Sequence, residues 1–393
     1  MIDFPKVFWD FEKWTFIFVH FLLSEKGFGA KNRIFAKVWE GGNFWIPQVN
    51  QYILVLECVY HTINLSNKQY IRMVNVILVT GGAGFLGRNL CKRLLQYENN
   101  QVICVDNLVT GHTRNITEFT ENQRFRFIEQ DITDNTFNTT FVEMLPAKVH
   151  EIYHLACIAS PPKYKEYSIE TLMTSFIGTK NVLDLAKQYN AKVLFTSTSE
   201  VYGDPLVHPQ PEEYFGNVNT FGERSCYDEG KRVAESLIYE YKRKFGLDIK
   251  IVRIFNTYGP YMDIDDGRVI TNFIKQIMAN KPLVIYGDGT QGRSFCYVDD
   301  MINGLYRMMN SSQGGPINIG NPYNEFTLNE LVNQFEKILG RKLEVTYIEA
   351  TENDPKQRKP IIEKAQRLLK WEPDVTLSEG LEKTMRYFSA LNQ

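Results

Sequence analysis

A tyrosine and a lysine stand four residues apart in the segment CYDEGKRVAESL, which carries Tyr227 and Lys231. The segment has a helical pattern, so the two side chains are expected on one face of a helix. A phenol with an ordinary pKa near ~10 is a weak base at neutral pH, but a neighbouring ammonium favours its phenolate. A tyrosine activated in this way can remove the proton of a substrate hydroxyl. Because Y-x-x-x-K also occurs by chance on exposed helices, its meaning depends on the surrounding elements.

A second group of chemical interest precedes it in TSTSEVYG, residues 196–203, where a run of small residues ends in Glu200. The run predicts a strand, and Thr198 and Glu200 would stand at its carboxyl end. A hydroxyl and a carboxylate placed there can hold a substrate or take part in proton transfer. The alternative is a strand-end carboxylate that only caps a nearby backbone N–H.

The segment GGAGFLG places Gly81, Gly84 and Gly87 between a predicted strand and a predicted helix. Glycines at this spacing let the turn close and let the backbone, including Phe85 and Leu86, approach a pyrophosphate at the helix N-terminus. The sequence therefore predicts a dinucleotide site.

Acidic residues after the next two strands extend this prediction. Asp106 lies 19 residues after Gly87, where its carboxylate could accept hydrogen bonds from ribose hydroxyls and would repel a 2′-phosphate, which favours NAD over NADP. A simple turn aspartate is the alternative. Asp131 and Ile132 follow the third strand and are expected at the adenine, or else form an Asx turn.

These residues lie on a regular alternation of strands and helices that begins at Val74. Strands are predicted over 74–80, 101–107, 125–131, 149–156 and 192–200, with helices over 86–99 and 171–189. The alternation predicts an α/β fold with a Rossmann-like, doubly wound parallel sheet. After Arg253 the pattern becomes irregular, which predicts a smaller mixed α/β substrate-binding domain. The predicted divisions are 1–72, 73–253 and 254–393, the last two interleaved.

Residues 1–72 differ from the rest, with sixteen aromatic residues and an apolar run, Trp14 to Leu23, of only ten residues. A membrane span needs ~20 residues. Acidic residues before the run also argue against a secretory signal. The segment is interpreted as a lineage-specific extension, or as an upstream reading of the gene with a native start at Met73, and a cytoplasmic location is expected.

Composition restricts the partners. A net charge of −2 gives no electrostatic footprint for nucleic acid or an anionic membrane, so neither partner is expected. The six cysteines are scattered without metal-ligand spacing, so no metal site is predicted and the thiols are expected to be reduced and mostly buried.

From Val74 to about Trp371 the chain resembles the extended short-chain dehydrogenase/reductases that act on nucleotide sugars, and within them the UDP-glucuronate decarboxylase branch. The stretches that carry the resemblance are GGAGFLG, DNLVTGHTRNI, HLACIASPP, STSEVYGDP, SCYDEGKRVAE, RIFNTYGPYMDIDDGRVITNFI, YGDGTQGRSFCYVDD and DPKQRKP. STSEVYGDP and SCYDEGKR are specific to the decarboxylase branch. Epimerases of this family have a small or hydroxyl residue at the place of Glu200, and 4,6-dehydratases have an Asp-Glu pair where this chain has Ser199 and Glu200.

The resemblance implies NAD-dependent conversion of UDP-glucuronate to UDP-xylose, by oxidation at C4, loss of CO2, protonation at C5 and reduction at C4, on tightly bound NAD. It also implies catalytic roles for Thr198, Glu200, Tyr227 and Lys231, the last two also touching the cofactor. Asn256 and Arg293 would bind the substrate. Further cofactor neighbours carried over from the family are Asn107, Thr110, Gly111, Leu155, Thr174, Thr257 and Arg268.

Three departures from the family pattern leave substrate choice open: Met173 replaces a lysine, Tyr261 an arginine and Ile361 an aspartate. The alternatives are a UDP-sugar 4-epimerase, against which Glu200 argues, and a non-catalytic NAD-binding scaffold, against which Thr198, Tyr227 and Lys231 argue. The resemblance also implies a homodimer formed through helices near residues 168–189 and 225–245.

Overall fold

The computed structural model describes residues 6–9, 16–19, 36–39, 74–146, 148–349 and 357–391. The chain divides into two compact units, residues 1–72 and 73–393. In the first unit, β1 (Lys6–Trp9), β2 (Phe16–Val19) and β3 (Ala36–Trp39) form an antiparallel sheet in that order. Met73 and most of the apolar run from Trp14 to Leu23 lie outside the described residues, so the hypotheses about them stay predictions.

The second unit is built on a seven-stranded parallel sheet in the order β14-β9-β8-β7-β4-β5-β6. Its strands are β4 (Asn75–Thr80), β5 (Asn100–Asp106), β6 (Phe125–Glu129), β7 (Glu151–His154), β8 (Lys192–Thr198), β9 (Ile249–Ile254) and β14 (Ile317–Ile319). The central strands β4, β5 and β8 are almost continuously buried, as expected of a sheet covered on both faces. The prediction of a doubly wound parallel sheet is confirmed.

The first six helices of this unit connect the strands or flank the sheet. They are α1 (Phe85–Leu95), α2 (Thr140–Glu143), α3 (Pro161–Glu166), α4 (Ser168–Met173), α5 (Thr179–Tyr189) and α6 (Ser225–Phe245). The helix predicted over 171–189 is interrupted by a π-helical turn, Thr174–Gly178, between α4 and α5. Gly178 in this turn packs on the side chain of Ile132, where a Cβ would lie 2.6 Å from Cδ1.

Residues after β9 form small sheets and four more helices. The strand pairs are β10 (Thr257–Tyr258) with β13 (Cys296–Tyr297), and β11 (Leu283–Tyr286) with β16 (Val345–Ile348); β12 (Gly292–Ser294) lies between β15 (Glu325–Thr327) and β17 (Gln357–Arg358). The helices are α7 (Val269–Met278), α8 (Val298–Met309), α9 (Leu328–Leu339) and α10 (Leu377–Leu391). One buried cluster runs from Ile77 to Phe388, and β14 returns to the main sheet, so the division at residue 253 stays a prediction.

The order of the strands decides where a ligand can bind. Because β4 lies between β5 and β7, the connections leave it in opposite directions, and a crevice opens at the carboxyl ends of β4 and β7. The carboxyl end of β8, next to β7, carries Thr198 and faces the same side. Among the described residues, no helix is both long and apolar enough to cross a membrane.

Candidate active site

A cavity of about 320 Å3 lies at the carboxyl ends of the central strands. It is lined by nearly all the residues that the sequence predicted. These are Gly81, Gly84, Phe85, Leu86, Gly87, Asp106, Asn107, Thr110, Asp131, Ile132, Leu155, Thr174, Thr198, Glu200, Tyr227, Lys231, Asn256, Thr257 and Arg268. Gly111 and Arg293 are not among the lining residues.

The glycine turn brings the backbone close to the cavity at the start of α1. Gly81 has φ +72°, and a Cβ on it would lie 2.7 Å from the backbone nitrogen of Ala156. A Cβ on Gly87 would overlap the carbonyl oxygen of Gly81, so only glycine lets the helix sit this close to the strand. Gly84 precedes α1, and no side chain among the described residues caps its N-terminus. The helix therefore presents backbone N–H groups to the cavity, which fits a pyrophosphate.

Asp106 organises this turn from the end of β5. Its two carboxylate oxygens accept hydrogen bonds from the backbone nitrogens of Ala83 (3.0 Å) and Leu108 (2.9 Å). Burial raises the pKa of Asp106, and these backbone N–H groups partly oppose the rise. Gly111 packs against this carboxylate so closely that a Cβ on it would lie 2.6 Å from Asp106 Oδ1. It therefore shapes the wall of the cavity without lining it. Each carboxylate oxygen retains a further lone pair for a ribose hydroxyl.

The far end of the cavity is polar and fits an adenosine. The Asn107 side-chain nitrogen donates to Asp131 Oδ2 at 2.8 Å, and Asp131 Oδ1 accepts from the Thr133 backbone at 2.7 Å. The Asx turn given as the alternative for Asp131 is therefore present, and Asp131 also lines the cavity, while its contact with adenine stays a prediction. The residues present fit an NAD molecule along this side of the cavity.

The sugar end is built by the carboxyl end of β8. Thr198 ends the strand, and its hydroxyl accepts a hydrogen bond from the backbone nitrogen of Glu200 at 3.2 Å, which starts a single 3₁₀ turn, Ser199–Tyr202. The turn lifts Glu200 into the cavity wall. Thr198 and Glu200 therefore both line the cavity.

Two arginines hold the Glu200 carboxylate. Arg358 Nη1 donates to Oε1 at 2.8 Å and Nη2 to Oε2 at 3.3 Å, while Arg224 Nη2 also donates to Oε2. Burial raises the pKa of Glu200, but the two guanidinium groups outweigh burial and lower the pKa to about 2. Glu200 is therefore a fixed anion at neutral pH.

Arg358 is itself almost fully buried, with 2% of its side chain exposed. It also donates to the hydroxyl of Ser199 (2.9 Å) and to the carbonyl of Gly203 (2.9 Å). Ser199, which stands where a 4,6-dehydratase has an aspartate, thus helps to hold Arg358. Arg358 in turn holds the carboxylate of the neighbouring Glu200.

Tyr227 and Lys231 lie on one face of α6, as expected. Lys231 Nζ donates to the carbonyl of Thr196 at 2.8 Å and lies 6.0 Å from the centre of the Tyr227 ring. Burial raises the pKa of Tyr227, and the strongest opposing groups are Arg268 and the Thr198 hydroxyl. The lysine ammonium bonds to backbone, so burial dominates the pKa of the phenol, and the lowering expected from the ammonium together with a positively charged nicotinamide stays a prediction.

Arg268 closes the cavity near Tyr227. Its guanidinium pairs with both oxygens of Asp266 (2.8 and 2.7 Å) and donates to the carbonyl of Ala159 at 2.7 Å. Asn256 and Thr257 line the cavity just after β9. Arg293 is half-buried on β12, where Nη1 donates to the carbonyl of Gly292, and its predicted substrate contact stays a prediction.

The three departures from the family pattern lie in different surroundings. Met173 is 48% exposed at the end of α4 and is not a lining residue. Tyr261 has φ +70° and lines the cavity, and its ring stacks under the buried guanidinium of Arg88 at 3.4 Å. Arg88 itself is not among the lining residues, so the effect of Tyr261 on the substrate stays a prediction. Ile361 pairs its backbone with Gln210 away from the cavity wall.

Sequence reasoning missed four polar residues at the sugar end: Arg224, Arg358, Asp228 and Tyr164. Two of them stood in quoted motifs, Asp228 in SCYDEGKR and Arg358 in DPKQRKP, without an assigned role. Arg224 precedes Tyr227 by about one helical turn, and this spacing could have indicated that the arginine lies near the same site. Nothing in the sequence indicated Tyr164, whose ring stacks on Tyr227 with centroids 5.2 Å apart.

Comparison with known proteins defines the class. The model of the NAD dependent epimerase/dehydratase family matches residues 77–320, and the chain belongs to this family. The family resemblance inferred from the motifs is confirmed.

Two relatives carry the same name. UDP-glucuronic acid decarboxylase 6 of Arabidopsis thaliana is 52% identical over 317 residues, 81% of this chain and 90% of the relative. UDP-glucuronic acid decarboxylase 1 of Xenopus tropicalis is 47% identical over 312 residues, 79% of this chain and 72% of the relative.

Two of the similar solved structures are epimerases. UDP-glucose 4-epimerase of Thermotoga maritima, solved with UDP-glucose, has a TM-score of 0.74 at 30% identity, covering 81% of this chain and 100% of that one. UDP-glucuronic acid 4-epimerase of Bacillus cereus, solved with UDP-glucuronic acid and NAD, has a TM-score of 0.72 at 31% identity, covering 80% and 99%.

Proposed function

We propose that this chain is an NAD-dependent UDP-glucuronate decarboxylase that forms UDP-xylose. The observation that carries the proposal is the Glu200 carboxylate, which Arg224 and Arg358 hold in the wall of the cavity that Thr198 and Tyr227 also line. A plain 4-epimerisation has no need of a fixed anion at this place. Relatives near 50% identity named as UDP-glucuronic acid decarboxylases support the same activity.

NAD would lie along the glycine turn, with its pyrophosphate at the N-terminus of α1 and its adenosine near Asp106 and Asp131. When bound there, it supplies the acceptor and later the donor of hydride at C4 of the sugar. The glycine cradle and the uncapped helix support this placement.

The chain's own residues handle protons and charge. Tyr227 is placed to take the proton of the C4 hydroxyl as the carbon is oxidised, with Thr198 holding the same oxygen. Its phenolate would be favoured by Arg268, by the Thr198 hydroxyl and by the positive charge of a bound nicotinamide, against burial. The resulting C4 ketone makes the C6 carboxylate a β-keto acid, so the electron pair of the C5–C6 bond can move onto the C4 oxygen as CO2 leaves. Thr198 and Tyr227 stabilise that oxygen by hydrogen bonds. C5 then gains a proton, and C4 is reduced.

Glu200 and Arg224 act on the carboxylate side of the sugar. With a pKa lowered to about 2, Glu200 stays ionised at neutral pH, so its role is to orient the ring or an ordered water rather than to donate a proton. Arg224 lines the cavity and retains donors beyond the one it gives to Glu200, which suits a substrate carboxylate.

The experiment is product analysis. The purified full chain is incubated with UDP-glucuronate and NAD, and the product is examined by mass spectrometry and NMR. Loss of CO2 with formation of UDP-xylose is expected. An unchanged mass with inverted configuration at C4 would instead make the chain a 4-epimerase, the activity named for its structural neighbours.

We also propose that the chain forms a homodimer through α4, the following π turn and α6. Ile169, Leu172, Met173 and Phe176 are 41–71% exposed at helical spacing, and Tyr239 on α6 is 64% exposed. An apolar face of this kind suits an isologous helical interface. Sedimentation should give a dimer, and Ile169→Glu with Phe176→Glu should give a monomer; a monomeric wild type would contradict the proposal.

A further inference from the structure

Asp228 is a buried carboxylate of the sugar end to which no role has been given above. It follows Tyr227 on α6 and is 6% exposed. Its Oδ2 lies 3.7 Å from Nε of Arg224, and its Oδ1 is buried with no hydrogen-bond partner among the described residues. A buried carboxylate oxygen without a partner is costly when the group is ionised and much less so when it is protonated.

The groups that face Asp228 come from four elements. They are Arg224 and Glu229 on its own helix, Glu200 on the 3₁₀ turn, Arg358 on β17 and Tyr164 on α3. Tyr164 packs with Tyr227, the residue before Asp228, and its hydroxyl is also buried without a hydrogen-bond partner among the described residues. Burial, and then the charge of Glu200, raise the pKa of Asp228 to about 7, against the opposing arginines.

The charges at this end of the cavity balance with Asp228 ionised when no substrate is bound, and with Asp228 protonated when the substrate carboxylate is bound. With Asp228 ionised, its charge and that of Glu200 match the two guanidinium groups. A substrate carboxylate that enters beside Arg224 adds a third negative charge to a dry site, which is unfavourable unless a proton enters with it. Asp228 is the carboxyl best placed to accept that proton, because both arginines already hold Glu200 ionised.

The proposed reaction itself consumes one proton. A carboxylate becomes CO2 and a C–H bond: the C5–C6 bond breaks, its electron pair passes to the C4 oxygen, and the pair returns to form the C5–H bond with a proton. The charge of the site is therefore constant if one proton enters with the substrate and one proton passes to C5 after CO2 has left, so that no net proton is released.

We propose that Asp228 is a positioning residue that takes up a proton when the substrate carboxylate binds and returns to its ionised form as C5 is protonated, so that the proton taken up offsets the one that the reaction consumes. Once protonated, Asp228 no longer competes for Arg224, and the guanidinium can pair with the substrate carboxylate. This inference depends on the proposed function.

The test measures proton uptake on binding, by calorimetry in two buffers of different ionisation enthalpy. The Tyr227→Phe chain is used so that UDP-glucuronate binds without turnover. At pH 8, about 0.9 proton should be taken up per UDP-glucuronate bound, because a group of pKa near 7 is then about nine-tenths ionised. UDP-xylose, which has no carboxylate, should bind with no uptake, and at pH 5.5 the uptake should vanish.

The matched variant adds Asp228→Asn, which is always neutral. It should bind UDP-glucuronate without proton uptake at pH 8, and its affinity should be flat above pH 7, where the affinity of the parent falls by up to tenfold per pH unit. Uptake that persists in this variant overturns the proposal, as does binding of UDP-glucuronate to the parent without uptake at pH 8. If the variant fails to fold, proton uptake by the Tyr227→Phe chain still tests the proposal: uptake should accompany UDP-glucuronate but not UDP-xylose, and should occur at pH 8 but not at pH 5.5. Absence of UDP-glucuronate binding and turnover would instead contradict the proposed function.

Discussion

The two ends of the cavity are built in different ways. The dinucleotide end is made mostly of backbone: a glycine turn, the N-terminus of α1 and an aspartate that holds the turn, all within residues 81–111. The sugar end is made of charged side chains, and Glu200, Arg224 and Arg358 come from segments up to 158 residues apart. A site made of backbone tolerates side-chain substitutions that leave the course of the backbone unchanged. A cluster of buried charges, in contrast, loses its charge balance when any one of its residues is replaced.

The largest effect is expected at the reacting atoms of the sugar end. Tyr227→Phe removes the hydroxyl that exchanges the C4 proton, and turnover should fall by about 10²–10⁴-fold, the range of general acid–base catalysis. Binding of NAD should be unchanged, because the ring and its stack on Tyr164 remain. Steady-state kinetics and a fluorescence titration with NAD measure both. Full turnover in this variant would remove Tyr227 from its role.

The next effect is expected on stability at the same end. Arg358→Gln removes one partner of the buried Glu200 carboxylate and should lower the free energy of unfolding by about 3–5 kcal/mol, as when a buried pair loses one member. Denaturant titration measures the change. Arg358→Gln combined with Glu200→Gln removes both charges and should recover a large part of the loss. Equal stability of the single variant and the wild type would refute the charge cluster as a structural unit.

Two glycines sharpen the contrast at the dinucleotide end. Gly87→Ala places a Cβ on the carbonyl of Gly81, so α1 must move, and a loss of about 1–3 kcal/mol in unfolding free energy is expected. Gly84→Ala is the matched control, because its Cβ would lie 3.3 Å from the nearest atom and φ is −78°. It should keep the stability of the fold and weaken NAD binding, because the backbone can no longer approach the pyrophosphate. Equal destabilisation by both substitutions would show that helix packing, and not cofactor approach, requires Gly84.

The smallest effect concerns acid stability. The pKa of Glu200 is lowered from 4.5 to about 2 on folding, so its contribution to stability is present above about pH 4.5 and is lost as the pH falls toward 2. Glu200→Gln should therefore reduce the slope of the unfolding free energy against pH, between pH 2 and 4.5, by at most about 1.4 kcal/mol per pH unit. Urea titrations between pH 2 and 5 measure the slope. The exposed Glu129→Gln is the control, and an equal reduction there would contradict the assignment.

Much of this site could be predicted from local sequence. Gly81, Gly84 and Gly87 between a strand and a helix, and the four-residue spacing of Tyr227 and Lys231, depend on residues near one another in the chain. Thr198 and Glu200 were predicted at the end of a strand over 192–200; the strand ends at Thr198, and Glu200 lies in the 3₁₀ turn that follows it. The family was also determined by these motifs.

The charges at the sugar end could not be predicted in this way. Arg358 reaches Glu200 from β17, and its direction depends on the pairing of β17 with β12. The effect of burial on the pKa of Tyr227 could not be predicted from the sequence either, because burial is a property of the packed protein. The cation stacked on Tyr261 is a further case, since Arg88 lies 173 positions earlier in the chain.

By itself, the sequence determined the fold class, the glycine turn and the order of the chemical groups, because these depend on periodicity and on spacing along the backbone. Only the tertiary structure decided which side chains share the sugar pocket, and therefore which of them stay charged. The physical reason is that a pKa depends on burial and on charges within a few ångströms, and those distances are set when segments far apart in the chain pack together.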